Sequence, residues 1–269
     1  MRDFQEIRLD TPAPHVSQIT LNRPDAMNAY TTKLCEEVTQ AIEDYLCDDT
    51  QRVLILTGAG RGFCSGGDIS GNGDEEHAAL MASQLSHGRE MRDGMHRVIL
   101  ALQRCDKPVI ASINGAAVAG GLTLALACDI RIASDKAKLG DTSGRFGLLP
   151  DEGGAWLFPR AMGMDQALKM TMLAETYDAA TAKDLGLVTE VVPHDALEAE
   201  TLKLAERIAA GAPLAIRLAK QMMLRSRDIS LEHSLGDAAL SVMVANSSQD
   251  VREGVKAFFA KRPPKFEGK

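Results

Sequence analysis

A chain of 269 residues, 45% hydrophobic and 25% charged, has the material for one large domain, or for a domain with an appendage. Its 37 acidic and 30 basic residues give a net charge of -7, which excludes the basic stripe that nucleic acid requires; a single anionic ligand can still be held by local Arg and Lys or by helix N-termini. No apolar run is long enough to span a bilayer, and Met1–Glu6 carries charge where a signal peptide needs an apolar segment, so a cytoplasmic protein without membrane contact is expected. The five cysteines are scattered and lack CxxC spacing, and read as free thiols in a reducing compartment. The six histidines show no ligand spacing, and no metal is expected.

In chain order, Ile7-Arg8-Leu9 and Val16–Leu21 read as strands. Thr31 to Asp48 reads as a helix with Leu34, Val38, Ile42 and Tyr45 on one face. Val53–Thr57 is a nearly all-apolar strand of the kind buried on both faces, continuing into a glycine-rich stretch that ends at Gly73. A long polar helix is predicted over Glu75 to Gln103, a second buried strand over Val109–Ile113, an apolar helix over Gly120 to Cys128 and a strand over Ile130–Ala133. Strands alternating with helices predict an α/β fold with crossover connections. Beyond Val192 the pattern is helical throughout: Leu197, Leu204 and Ile208 recur at helical spacing, as do Leu214, Leu218 and Met222, and then Val251, Val255, Phe258 and Phe259. A core of residues 1–192 and a helical unit of residues 193–269 are expected.

Three segments carry chemistry. Gly58–Ile69 follows a buried strand, but its spacing is GxGxG rather than GxGxxG, and polar Gly71-Asn72-Gly73-Asp74 stands where an apolar helix should begin. A nicotinamide-linked oxidoreductase is thereby weakened. Cys64 and Ser65 lack the GxSxG context of a nucleophile. What remains is a backbone that can approach a ligand closely at Gly66 and Gly67. Asn114–Thr123 also follows a buried strand, and here an apolar helix does begin; its small residues serve either an oxygen that turns anionic or plain tight packing. In Gly147-Leu148-Leu149-Pro150-Asp151-Glu152-Gly153-Gly154 two acids stand on a stiff bend, as a proton carrier or as an N-cap of the next helix, Ala155 to Met162. Two N–H donors with one proton carrier point to enolate chemistry.

These segments resemble the enoyl-CoA hydratase/isomerase (crotonase) superfamily over nearly the whole chain. Leu21–Ala29 resembles its first CoA-contacting motif, Phe63–Ile69 and Asn114–Asp129 its two oxyanion-hole segments, and Arg252–Arg262 its terminal helix. The resemblance implies a spiral of ββα turns with a C-terminal helical trimerisation domain, assembled as a homotrimer or a dimer of trimers. It implies an acyl-CoA thioester substrate and no cofactor beyond the CoA moiety. By position it assigns the oxyanion donors to the N–H groups of Gly67 and Gly120. CoA contacts fall to Asp25, Ala26, Met27, Gly66, Asp68 and Ile69, with Phe258 and Lys261 reaching the nucleotide, often from a neighbouring subunit.

The chain departs from the family where hydratases carry two glutamates that flank a water, because Thr123 and Ser143 occupy those positions. Neither hydroxyl titrates near neutrality. Asp151 matches a position where isomerase-type branches place their carboxylate. The surrounding sequence and the tail Ala260–Phe266 are similar to the phenylacetate-pathway epoxide/enoyl-CoA isomerase group. Asp151 is therefore assigned the chemistry, and Glu152 is left as a cap or a supporting group. An enoyl-CoA isomerase is the leading expectation, with a hydratase and a non-catalytic acyl-CoA-binding or RNA-binding homologue as alternatives. Trp156, Leu157 and Phe158, with Met81, Leu85 or Met91, are candidates for the acyl pocket, with ordinary core packing the competing account.

Overall fold

The computed structural model describes residues 4–69 and 86–269. A hairpin of β1 (Ile7–Ala13) and β2 (Val16–Leu21) opens the chain and pairs antiparallel. Parallel to β2 run β3 (Val53–Gly58), β5 (Val109–Ile113), β7 (Ile130–Ser134) and β10 (Glu190–Val192), in the order β1-β2-β3-β5-β7-β10. A second sheet, β4-β6-β8-β9, is made of strands of three residues each: Gly62–Cys64, Ala116–Val118, Lys138–Gly140 and Thr176–Asp178. The chain repeatedly lays one strand in the first sheet, one in the second, and then a helix. This is the spiral of ββα turns, and it is closed by a helical C-terminal region.

The first sheet is buried on both faces, which is why its central strands are almost wholly apolar. Leu54 and Leu56 pack into the larger core with the second sheet and the helices, while Val53, Ile55, Ile110 and Ile132 face the other way under helix Leu197–Ala209. Each such burial contributes roughly 1.5–3 kcal/mol. Helix Thr32–Cys47 begins at Thr31, whose side chain accepts from the N–H of Leu34 at 2.9 Å, and its predicted stripe of Leu34, Val38, Ile42 and Tyr45 is buried.

The long polar helix differs from expectation. Two helices, Ser86–Asp93 and Met95–Arg104, are separated at Gly94, whose ψ of -105° leaves the helical region; the predicted portion over residues 75–85 lies outside the described residues. Among the described residues no helix is long and apolar enough to cross a membrane.

Candidate active site

The first glycine loop leaves β4 and is held by Tyr30. The Tyr30 N–H donates to the Gly66 carbonyl at 2.8 Å, and the Asp68 N–H donates to the Tyr30 carbonyl at 3.0 Å, forming one parallel bridge between Tyr30 and Gly67. The residues on either side of Gly67 make those bonds, so its own N–H takes no part in the bridge. Gly66 has a φ of +98°, a conformation that disfavours any side chain, and a Cβ placed there would lie 3.0 Å from the Cβ of Ala119 and 3.5 Å from the nitrogen of Gly120. The two glycine segments therefore meet.

The second segment turns through Ala119, at a φ of 51°, into helix Gly120–Ala127, all eight of whose residues are buried. The two glycines of this helix have different surroundings. Gly121 serves tight packing, since a Cβ there would fall 2.0 Å from the carbonyl oxygen of Cys64. Gly120 instead faces two polar side chains: its Cβ would lie 2.5 Å from Glu152 Oε1 and 2.6 Å from Tyr30 Cε1.

The acidic bend leads into helix Gly154–Met162. Gly153, at a φ of 118°, is its cap residue and no side chain caps it, so the capping account of Asp151 and Glu152 does not hold. The Asp151 carbonyl accepts from His96 Nε2 at 2.7 Å, and its carboxylate Oδ2 lies 3.4 Å from His87 Nε2 with 31% of the side chain exposed. Glu152 turns inward and is 5% exposed. The Tyr30 hydroxyl donates to its Oε1 at 2.8 Å, and Oε2 has no partner. Burial pushes the Glu152 carboxyl above its ordinary value, aided by nearby Asp151 and Asp141 and opposed by its own backbone N–H and by Tyr30. Burial, then the Glu152 charge, push the Tyr30 phenol upward, so it stays a donor.

A cavity of about 910 Å³ opens between these segments. Of the sequence-predicted residues, Asp25, Ala26, Gly67, Asp68, Ile69 and Asp151 line it. Gly66, Gly120 and Met27 stand behind the wall, Met27 with its Cε 2.8 Å from where a Gly62 Cβ would be. Asp68 is paired with Arg23 Nη2 at 2.7 Å. Phe258 and Lys261 lie at the end of helix Gln249–Phe259, apart from the cavity wall, and Phe258 is 79% exposed. Ser143 is on the wall, its N–H donating to Asp141 Oδ1 at 3.0 Å. Thr123 is fully buried behind it, with an unpartnered hydroxyl.

Of the acyl-pocket candidates, Met91 lines the cavity. Leu157 and Phe158 are core, and half-exposed Trp156 carries the Arg160 guanidinium 3.9 Å above its ring. Met81 and Leu85 lie outside the described residues. Sequence reasoning did not single out Tyr30, which directly follows the first motif, and did not foresee that Glu152 turns inward. The signal available was an aromatic hydroxyl directly after that motif. Among the described residues no group of three or more His, Cys, Asp or Glu could hold a metal ion.

Comparison with known proteins follows this geometry. The sequence matches the family model described as enoyl-CoA hydratase/isomerase over residues 13–269. It is similar to the (E)-benzylidenesuccinyl-CoA hydratase of Thauera aromatica, 38% identical over 255 residues that cover 94% of this chain and 96% of the relative. It is also similar to the 1,2-epoxyphenylacetyl-CoA isomerase of Escherichia coli, 35% identical over 254 residues that cover 94% and 95%. The crystal structure of an enoyl-CoA hydratase from Bacillus anthracis superposes with a TM-score of 0.91 at 34% identity, covering 98% of this chain and all of the other.

Proposed function

The chain belongs to the enoyl-CoA hydratase/isomerase family, the crotonase superfamily, and from that premise we propose that its acyl-CoA chemistry is isomerisation through a thioester enolate. The observation that carries this reading is the pairing of Asp151 on the cavity wall with hydroxyls, Thr123 and Ser143, at the two positions where the resemblance expects glutamates. A hydroxyl of ordinary pKa activates no water near neutrality, whereas a carboxylate beside an acyl chain can move a proton.

Asp151 removes a proton next to the thioester carbonyl. The electron pair runs into the carbonyl, and the N–H groups of Gly67 and Gly120 hold the developing oxyanion; one such donor is worth about 10²–10³ in rate. CoA lies along Asp25, Ala26 and Met27 and along Gly66, Asp68 and Ile69. Phe258 and Lys261, which do not line the cavity of their own chain, reach its nucleotide from a second subunit, and Lys261 pairs there with a phosphate. The helices after residue 192 form the oligomerisation unit of a trimer or hexamer. The phenylacetate-type isomerases are the branch favoured, on the context of Asp151 and the tail.

A panel of enoyl-CoA esters in deuterated water, with products identified by mass, tests the reading. Isomerisation without a gain of water is expected. Asp151→Asn should lower turnover by about 10²–10⁴ with little change in acetyl-CoA affinity by calorimetry, whereas Thr123→Ala and Ser143→Ala cost far less. Water addition as the sole reaction, unaffected by Asp151→Asn, would make the protein a hydratase with its acid elsewhere.

A further inference from the structure

Two adjacent carboxylates on one bend enter different surroundings. Asp151 is a third exposed, open to water, and faces the His87 imidazole. Glu152 is buried, with Oε1 bound by the Tyr30 hydroxyl and Oε2 bound by nothing. Among the described residues, four buried polar side-chain atoms lack a hydrogen bond, and Glu152 Oε2 is the one that belongs to the cavity wall. A buried polar atom without a partner costs free energy that a purely structural role does not recover. The same carboxyl group lies against Gly120, so closely that no side chain fits between them. It therefore stands beside the residue whose N–H would serve the thioester oxygen.

We propose that Glu152, held by the Tyr30 hydroxyl, is a second proton-transfer group of this site, giving a proton to the acyl chain while Asp151 removes one from it. The inference rests on the isomerase reading above and adds a carboxyl to it. Asp151 takes a proton from the α carbon of a β,γ-unsaturated acyl-CoA, and the C–H electron pair moves into the thioester to give a dienolate. The dienolate takes the Glu152 proton at its γ carbon, the carbonyl re-forms, and the double bond ends between the α and β carbons. Asp151 returns its proton to water, and the Glu152 carboxylate takes one back, so the substrate loses one proton and gains one.

The groups around Glu152 suit the proton-holding form. Tyr30 faces it from the segment before helix Thr32–Cys47 and Asp151 from its own bend, with Asp141 close by after β8. His96 on helix Met95–Arg104 binds the bend through the Asp151 carbonyl, and Cys64 on β4 lies behind Tyr30. Burial and the two acids favour the neutral carboxyl, and two carboxyl groups set apart by environment are a recurrent acid and base arrangement. Tyr30 is a positioning residue in this scheme.

The test uses trans-3-hexenoyl-CoA deuterated at the α carbon, turned over in ordinary water with the intact protein. Wild type should give product without deuterium at the γ carbon. Glu152→Gln should lower kcat by about 10²–10⁴ with KM and acetyl-CoA affinity little changed, and its residual product should carry label at the γ carbon, because Asp151 then acts alone. Tyr30→Phe should lower kcat less than Glu152→Gln and move the alkaline limb of the kcat profile to higher pH, because Tyr30 normally lowers the Glu152 pKa.

Label at the γ carbon in the wild-type product, or Glu152→Gln turning over within about threefold of wild type, overturns the inference and leaves the single-carboxylate isomerase standing. Glu152→Gln losing acetyl-CoA binding together with turnover gives Glu152 a structural role and also overturns it. No double-bond movement by wild type on any ester overturns the isomerase reading, and this inference with it.

Discussion

Two helices of this chain are rich in apolar residues and end in opposite places. All eight residues of Gly120–Ala127 are buried, whereas none of the seventeen in Leu231–Ser247 is, and there Leu235, Leu240 and Met243 are 61%, 66% and 68% exposed. Composition separates them in part, since the second carries Glu232, His233 and Asp237 and the first has no charged residue; neighbours decide the rest. The first is enclosed by its own chain, with its head against β4 and its flanks in the main core. The second packs on the neighbouring helices of its own chain but leaves these apolar side chains uncovered, which is what an oligomerisation surface requires. The interior helix also carries the proposed oxyanion donor at its head, so core packing and chemistry are joined there.

Mutations can break this contrast at several strengths. The largest effect is expected at the head of the interior helix. Gly120→Ala puts a methyl group 2.5 Å from Glu152 Oε1 and 2.6 Å from Tyr30, so turnover should fall by at least about 10²–10³ while circular dichroism reports a folded chain. Full activity in that variant would remove Gly120 from the site.

Next, Leu124→Ala inside the same helix should cost about 2–5 kcal/mol in urea unfolding, because a fully packed side chain leaves a cavity. Leu240→Ala on the exposed helix should not carry that cavity cost. Equal losses at the two positions would show that the contrast is not one of burial within the chain.

Met243→Glu should instead lower the mass measured by light scattering, by placing a charge in the proposed subunit contact. A wild type that stays monomeric at micromolar concentration would refute the assembly, and with it the reach of Phe258 and Lys261 into a second subunit.

The smallest effect expected is a slope with pH. The folded Glu152 pKa is raised above the ordinary 4.5, so between that value and the folded one the native state holds more protons than the unfolded chain. Stability from this group is complete below 4.5 and is lost as pH rises through the folded pKa. Wild type should therefore weaken relative to Glu152→Gln on going from acid toward neutral pH, with Tyr30, Asp151 and Asp141 unchanged in both. A difference that is flat, or that grows the other way, would show that burial does not govern this carboxyl.

Strands β3 and β5 were legible in sequence as near-continuous apolar runs buried on both faces, and helix Thr32–Cys47 because its period records its buried stripe. The strands of the second sheet were not, since three residues give no period to read. The break at Gly94 was hidden for a related reason: a lone glycine within a polar helical pattern reads as tolerated until the backbone is seen to turn there.

By itself the sequence determined the α/β succession, the family motifs, the loss of both expected glutamates and the place of two acids on one bend. Tertiary structure alone decided which acid is open and which is buried, and that Tyr30 reaches Glu152 across 122 residues of chain. The physical reason is range. Backbone preference and hydrophobic period act over a few residues and are written locally, whereas the dielectric and the hydrogen-bond partner of a side chain are set by whatever distant segment folds against it.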